Sequence, residues 1–192
     1  MVYFIADLHL FHKNIILYED RPFGDFTRFG GIEKGFMPSE MRLDLEKELS
    51  VAILEMNETI ITNWNKTVND ADKIFVLGDV GFPLRRKVAE ELIPSLHGSK
   101  ILVMGNHDRG HSVKWWMEVG FKEVSKYPII YSQFYILSHE PVNDIETTMF
   151  TNIHGHIHGR KREGNHYINV GVEHTNYFPI SFDEIKSKLA GI

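Results

Sequence analysis

The chain has 192 residues, of which 43% are hydrophobic and 24% are charged. These values predict one globular domain with a well-developed core and exclude a disordered protein. The formal net charge of -5 disfavours a long nucleic acid as the partner, and the 0 cysteines exclude disulfides, a thiol nucleophile and thiolate-bound metals.

Short β-branched and aromatic runs predict six buried strands. In chain order they cover residues 2–6, 74–77, 101–104, 135–138, 149–153 and 167–170. Apolar residues at spacings of three or four predict a helix over residues 40–64, for which Ser39 is the expected N-cap. Further helices are predicted over residues 84–96, 113–119 and 182–189, so strands and helices interleave as in an α/β protein.

We expect residues 1–192 to form a single domain, because the sequence contains no repeat and no linker rich in Pro, Gly or Ser. Residues 23–37 contain four glycines and little periodicity, which predicts an ordered loop that shapes the substrate site. No apolar stretch approaches the roughly 18 residues that span a bilayer, and no basic signal region follows Met1. The sequence therefore predicts a cytoplasmic protein without a membrane partner.

Polar side chains follow five of the predicted strands at the point where each strand ends. The groups are Asp7-Leu8-His9, Gly78-Asp79, Gly105-Asn106-His107-Asp108, His139 and His154-Gly155-His156-Ile157-His158. This edge is where α/β proteins build ligand sites, because the strands fix the backbone while the loops stay free. Each group alone has an ordinary interpretation, such as a turn, but their occurrence together favours a metal centre. If extended, His156 and His158 would face one side of a strand as a chelating pair.

In this order, the blocks Asp-x-His, Gly-Asp, Gly-Asn-His-Asp, a lone His and Gly-His-x-His resemble the calcineurin-like metallophosphoesterases, from Asp7 to His158. The stretch His12-Lys13-Asn14-Ile15-Ile16, followed by Arg21-Pro22-Phe23, is similar to a compact bacterial and phage branch of that family. The resemblance implies a four-layer α-β-β-α sandwich, in which two mixed sheets are flanked by helices.

The resemblance also implies a dinuclear centre of divalent transition-metal ions, for which manganese is preferred and iron, zinc, cobalt or nickel are alternatives. The first ion would be bound by Asp7, His9, Asp79 and His158, and the second by Asp79, Asn106, His139 and His156. Asp79 would bridge the ions, and a hydroxide shared between them would attack phosphorus. His107 would act as general acid or transition-state stabiliser at the leaving-group oxygen, and Asp108 would orient its imidazole.

Residues beside these motifs are candidates for substrate contact, namely His12, Asn14, Arg109 and His154. Each has a structural alternative. His12 and Asn14 could cap the segment that follows them, and His154 could be a hydrogen-bonded structural histidine.

The expected function is a phosphodiesterase or phosphomonoesterase that acts on a small organic phosphate or a nucleotide. A DNA or RNA nuclease of the same family is an alternative, although its recombination-repair members carry additional parts for which this chain has no room. A metal-free protein-binding scaffold, like the retromer component of that family, and a Ser/Thr protein phosphatase are less favoured. A homodimer is a further expectation, because small relatives often pair.

Overall fold

A computed structural model describes residues 1–29 and 39–191 of the protein, and in it short strands alternate with helices. In chain order the elements are β1 (Val2–Ile5), α1 (Ile15–Tyr18), α2 (Ser39–Thr67), β2 (Lys73–Val76), α3 (Arg86–Ser95), β3 (Ser99–Val103), α4 (Val113–Glu118), β4 (Glu123–Ser125), β5 (Ile129–Tyr131), β6 (Tyr135–Leu137), β7 (Thr151–His154), β8 (Tyr167–Asn169), β9 (Ile180–Ser181) and α5 (Phe182–Ala190). Single 3-10 turns lie at Thr27–Phe29, His107–Gly110 and Val172–His174.

The strands form two mixed sheets. The five-stranded sheet has the order β4-β3-β2-β1-β9, in which only β9 runs antiparallel to its neighbour. The four-stranded sheet has the order β5-β6-β7-β8, in which β5 is antiparallel to β6 and the other pairs are parallel. A parallel bridge between Ala6 and Gly171 joins the chain beyond β1 to the chain beyond β8. The predicted α/β class, with two mixed sheets flanked by helices, is thereby confirmed.

The five-stranded sheet is buried on both faces. Successive side chains of a strand point to opposite sides, so each strand contributes to two separate cores. In β1, Tyr3 and Ile5 belong to the core shared with α1 to α4, whereas Phe4 and the following Ala6 belong to the core between the two sheets. Strands β2 and β3 repeat this alternation. Helix α5 contributes Ile185 to the core between the sheets. Because both faces are covered, the site is built at the ends of the strands.

Each predicted strand and helix overlaps an observed one, and the differences lie in short or boundary elements. Helix α2 begins at Ser39 and extends three residues beyond the predicted end, to Thr67. Strand β7 starts at Thr151 instead of Met149, whose side chain is exposed. The sequence did not predict α1, β4, β5 or β9, which have only two to four residues and are too short to show a period.

The predicted loop at 23–37 is described only in part. Residues 23–29 contain the buried Phe23 and Phe29 and the 3-10 turn at Thr27–Phe29, while residues 30–37 lie outside the described residues. Among the helices of the described chain, none combines the length and the apolar character needed to cross a bilayer.

Replacing Ile74 by Ala should lower the free energy of unfolding by about 2–5 kcal/mol, because the substitution leaves a cavity in the core beneath the helices. Ile130→Ala is the matched control, because Ile130 is 67% exposed on β5 and its loss should change stability by less than about 0.5 kcal/mol. Chemical denaturation with a chelator present measures both values. Equal losses for the two variants would contradict the assignment of Ile74 to the core.

Candidate metal centre

The ends of strands from both sheets meet at one site. Asp7 follows β1, Asp79 follows β2 and Asn106 follows β3, all at the carboxyl edge of the five-stranded sheet. His139 follows β6 and His156 follows β7 in the second sheet. The bridge between Ala6 and Gly171 holds the two sheet edges together beside Asp7. Residues that are far apart in sequence therefore converge, as the strand-end pattern predicted.

The first group of side chains consists of Asp7, His9 and His158, whose candidate ligand atoms lie within 4.8 Å of one another. Both ring nitrogens of His9 and Oδ1 of Asp7 are buried without a hydrogen-bond partner among the described residues. His158 Nδ1 lies 3.2 Å from Glu173 Oε1, which leaves Nε2 available to the group. Burial lowers the pKa of His9, so its imidazole is neutral and presents a lone pair.

The second group consists of Asn106, His139 and His156. His139 Nδ1 donates to the carbonyl oxygen of Leu77 at 2.9 Å, so the neutral ring carries its lone pair on Nε2. Burial lowers the pKa of His139 to about 4, which keeps the ring neutral near pH 7. Yet His139 Nε2 lies 2.9 Å from Asn106 Oδ1 and 3.1 Å from His156 Nδ1. With its lone pair on Nε2, His139 presents an acceptor to the acceptor Asn106 Oδ1, and a cation bound by both atoms would offset their repulsion.

The Asp79 carboxylate lies between the two groups. Its Oδ2 is 3.4 Å from His9 Nε2 and 3.4 Å from His139 Nε2, while Oδ1 accepts a hydrogen bond from the backbone N–H of His107 at 2.9 Å. Burial raises the pKa of Asp79 and raises that of Asp7 to about 8, because removal from water disfavours the ionised carboxylate. A bound dication would supply that charge. The donors and their unsatisfied atoms therefore fit a metal centre.

Backbone conformation also marks this site. Asp7, His9, Asp79, His156 and His158 all have positive φ, between 46° and 71°. Non-glycine residues rarely adopt this left-handed conformation, and where they do they often lie at functional sites. The extended chelating pair expected for His156 and His158 is thus wrong, because β7 ends at His154 and both histidines adopt left-handed turns. The two rings instead join different groups, as the resemblance implied.

Glycines of the motifs let the loops approach the carboxylates closely. A Cβ added to Gly105 would overlap Oδ1 of Asp79, and one added to Gly155 would overlap Oδ2 of Asp7. In the same turn, Asp7 Oδ2 accepts a hydrogen bond from the backbone N–H of His156 at 2.8 Å. Only a residue without a side chain fits at these positions.

Arg21 and Glu173 support the first group, although no functional role was predicted for either residue. Arg21 is buried, and its Nη2 donates to the backbone oxygen of Asp7 at 2.7 Å and to Glu173 Oε1 at 2.6 Å. Burial would raise the pKa of Glu173, but the hydrogen bond from His158 and the charge of Arg21 outweigh it and lower the pKa to about 2. The ionised carboxylate therefore fixes the orientation of the His158 ring.

His107 lies against the first group, with its ring centroid 5.3 Å from that of His9. The ring nitrogen that His107 could offer to a metal also lies within 4.8 Å of the candidate ligand atoms of His9 and Asp79.

The predicted role of Asp108 is wrong. The Asp108 carboxylate accepts hydrogen bonds from the backbone N–H groups of Asp79, Val80 and Gly105, at 2.8 to 3.1 Å, instead of orienting the His107 imidazole. Asp108 therefore joins the loops that follow β2 and β3.

His12 and Asn14 take different positions at the rim of the centre. The His12 ring is half-buried, 5.7 Å from the His9 ring and 6.1 Å from the His107 ring by centroids. Asn14 is exposed, and its amide donates to the Tyr18 hydroxyl at 3.4 Å. Asn14 also occupies the N-cap position of α1, but its side chain makes no capping hydrogen bond.

Arg109 and His154 lie outside both groups. Arg109 is exposed and lies 4.0 Å from Glu140. His154 is buried, its Nδ1 donates to the Gly155 carbonyl oxygen at 2.9 Å, and it lines a separate cavity with Lys161 and Arg162. The expected shared face with His156 is absent because β7 ends between them. His154 is therefore a buried, hydrogen-bonded structural histidine, which was the alternative to substrate contact.

Comparisons with known proteins relate the chain to proteins without a stated function. The chain is 31% identical over 192 residues to the uncharacterized protein MJ1445 of Methanocaldococcus jannaschii. The aligned region covers 96% of this chain and 88% of that protein. The crystal structure of the protein of unknown function AQ665 from Aquifex aeolicus has a TM-score of 0.62 and 28% identity, and the match covers 98% of each chain. No family model matches the sequence.

Replacing Glu173 by Gln should weaken manganese binding by about 10–100-fold, because the neutral amide no longer holds the His158 ring in its orientation. Isothermal titration calorimetry measures the affinity, and thermal unfolding checks that the variant is folded. Glu163→Gln is the control, because Glu163 is exposed. Wild-type affinity in a folded Glu173→Gln variant would show that this carboxylate does not support the centre.

Proposed function

Since the chain belongs to one family with the uncharacterized protein MJ1445, whose name states no activity, we propose its function from the site. The chain is a dinuclear-metal-dependent phosphoester hydrolase of the calcineurin-like metallophosphoesterase type, with that family's four-layer sandwich. The observation that carries the proposal is the position of Asp79 Oδ2, 3.4 Å from the imidazole nitrogens of both His9 and His139. One carboxylate between two groups of carboxylate, imidazole and amide donors suits a pair of neighbouring dications.

Two groups of residues would bind the ions. The first ion would be held by Asp7, His9, Asp79 and His158, and the second by Asp79, Asn106, His139 and His156. Mixed nitrogen and oxygen donors favour manganese, iron, zinc, cobalt or nickel over magnesium and calcium, which prefer oxygen alone. When bound, such ions neutralise charge on phosphoryl oxygens and lower the pKa of a shared water.

The protein's own residues supply orientation and a proton. Asp79 is held by the backbone N–H of His107, and His139 by the Leu77 carbonyl, so both face the substrate site in fixed orientations. His107 is only partly buried, and its ring lies beside that of His9 in the first group. From there its imidazole can donate a proton to the leaving-group oxygen as the phosphoester bond breaks.

Small phosphoesters are the substrate class that we favour. The formal net charge of -5 opposes association with long nucleic acid. Arg109, the cation next to the Gly-Asn-His-Asp motif, lies 4.0 Å from Glu140, whose carboxylate reduces its attraction for a phosphate backbone. A nuclease is the alternative outcome, and degradation of linear DNA by the manganese-loaded protein would favour it over the small-molecule enzyme.

Asp79→Asn should remove manganese binding and the manganese-dependent hydrolysis of an aryl phosphodiester, because the amide has lost one of the two anionic oxygens of the bridge. Elemental analysis after gel filtration measures the metal content, and chelator should abolish the wild-type activity. Asp70→Asn, at an exposed aspartate, is the control and should retain both properties. A wild-type protein that binds no transition metal would instead favour the scaffold.

His107→Ala should lower the rate of hydrolysis by about 10²–10⁴-fold, because it removes the proton donor at the leaving group. The decrease in hydrolysis rate should be smaller for a substrate with a nitrophenolate leaving group, which departs without a proton, than for a substrate with an alkoxide leaving group. Steady-state kinetics on paired substrates measures the difference, with the exposed His97→Ala as control. If metal content falls together with activity, His107 is a metal ligand and its assignment as an acid is wrong.

A further inference from the structure

A second cavity adjoins the proposed metal centre. Its volume is about 320 Å³, and the residues that line it include His12, Lys13, Asn14, Glu46, Phe82 and Pro83. The rings of His12 and Phe82 separate it from the first group of ligands. Two of these residues, His12 and Asn14, are candidates for substrate contact from the sequence, which does not indicate what this cavity binds.

Phe82 presents a large apolar surface at the boundary between the cavity and the centre. Its side chain is 46% exposed, and its ring centroid lies 5.6 Å from that of His12 and 5.3 Å from that of His107. The backbone N–H of Phe82 donates to the Leu10 carbonyl oxygen at 2.9 Å, which fixes the position of the residue. An aromatic ring held half-exposed in a cleft is a surface on which another planar group can stack.

The charges of the cavity cancel. Lys13 Nζ lies 3.5 Å from Glu46 Oε2, so the cation and the anion on its wall compensate each other. A second phosphate would therefore gain little attraction there. The same side chains, together with the Asn14 amide, offer hydrogen-bond donors and an acceptor to the edge of an uncharged heterocycle.

We propose that this cavity binds the leaving group of the substrate, and that the leaving group is a nucleoside whose base stacks on Phe82. The inference rests on the proposed function, in which His107 protonates the leaving-group oxygen, and the His107 ring lies directly against Phe82. A phosphate held at the metal centre would direct its ester oxygen towards His107 and its leaving group over Phe82. Base stacking on the aromatic ring then determines which phosphoesters bind well.

A pair of ligands with the same phosphate and the same ester oxygen isolates this effect. A nucleoside 5′-monophosphate and ribose 5-phosphate differ at C1′, which carries the base in the first and a hydroxyl in the second, so the reactivity of the 5′ leaving group does not confound the comparison. For the wild-type protein, the KM or the dissociation constant should be about tenfold lower for the nucleotide, as one stacked base is expected to provide. Equal values for the two compounds would overturn the inference.

Variants at Phe82 then test whether the ring provides the preference. Phe82→Ala should reduce the preference to near unity, whereas Phe82→Trp should retain it, because indole offers a larger stacking surface. Phe134→Ala is the matched control, because Phe134 is 45% exposed in the turn between β5 and β6. A preference that survives Phe82→Ala, or that is lost equally in Phe134→Ala, would contradict the proposal.

Ligand-observed NMR on chelator-treated protein separates this inference from the proposed function. Saturation transfer from the wild-type protein to the base protons, which Phe82→Ala abolishes, supports the cavity even if the protein hydrolyses no phosphoester. Hydrolysis that is indifferent to the base, without saturation transfer, supports the proposed function and overturns the nucleoside leaving group. If neither hydrolysis nor transfer is observed, both proposals are wrong.

Discussion

The Asp79 carboxylate, held between two buried imidazoles, is the constraint on which the rest of the site depends. Burial lowers the pKa values of His9 and His139 and raises that of Asp79, so the protein concentrates lone pairs where water cannot solvate them. Within residues 1–29 and 39–191, Asp7 Oδ1 and both ring nitrogens of His9 have no hydrogen-bond partner. Such an arrangement is unfavourable by itself and becomes favourable when cations are bound. It is this need for positive charge, more than any single motif, that supports a metal-dependent activity.

The two-sheet architecture makes this concentration possible, because it brings loop ends from both sheets to one point. Parallel β1, β2 and β3 end at the same edge, and the bridge between Ala6 and Gly171 attaches the second sheet beside them. Asp108 then ties the loop of Asp79 to the loop of Gly105, through hydrogen bonds to backbone N–H groups. The carboxylates of the site thus serve two purposes. Asp7 and Asp79 lie among the candidate metal ligands, and Asp108 connects two of the loops that carry them.

The sequence was sufficient to predict which strand ends converge, because a buried strand followed by Asp or His places that side chain at the edge of the sheet. It could not show which atoms those side chains contact. Asp108 lies next to His107 in sequence, yet it binds backbone N–H groups, and His154, the last residue of β7, lines a separate cavity. No functional role was predicted for Arg21 and Glu173, because the two residues are 152 positions apart and their pairing produces no local pattern in the sequence. Short strands such as β9 were missed because two residues show no periodicity.

The left-handed backbone at Asp7, His9, Asp79, His156 and His158 has a consequence for how the protein can change. Each such residue costs about 1–3 kcal/mol relative to a relaxed conformation, and glycine or asparagine would occupy the same turns with less strain. Selection for heat resistance alone would therefore favour substitution of these five residues before substitution of core residues. Thermostable descendants obtained without a screen for metal binding would keep the two sheets and lose the residues of the candidate metal centre.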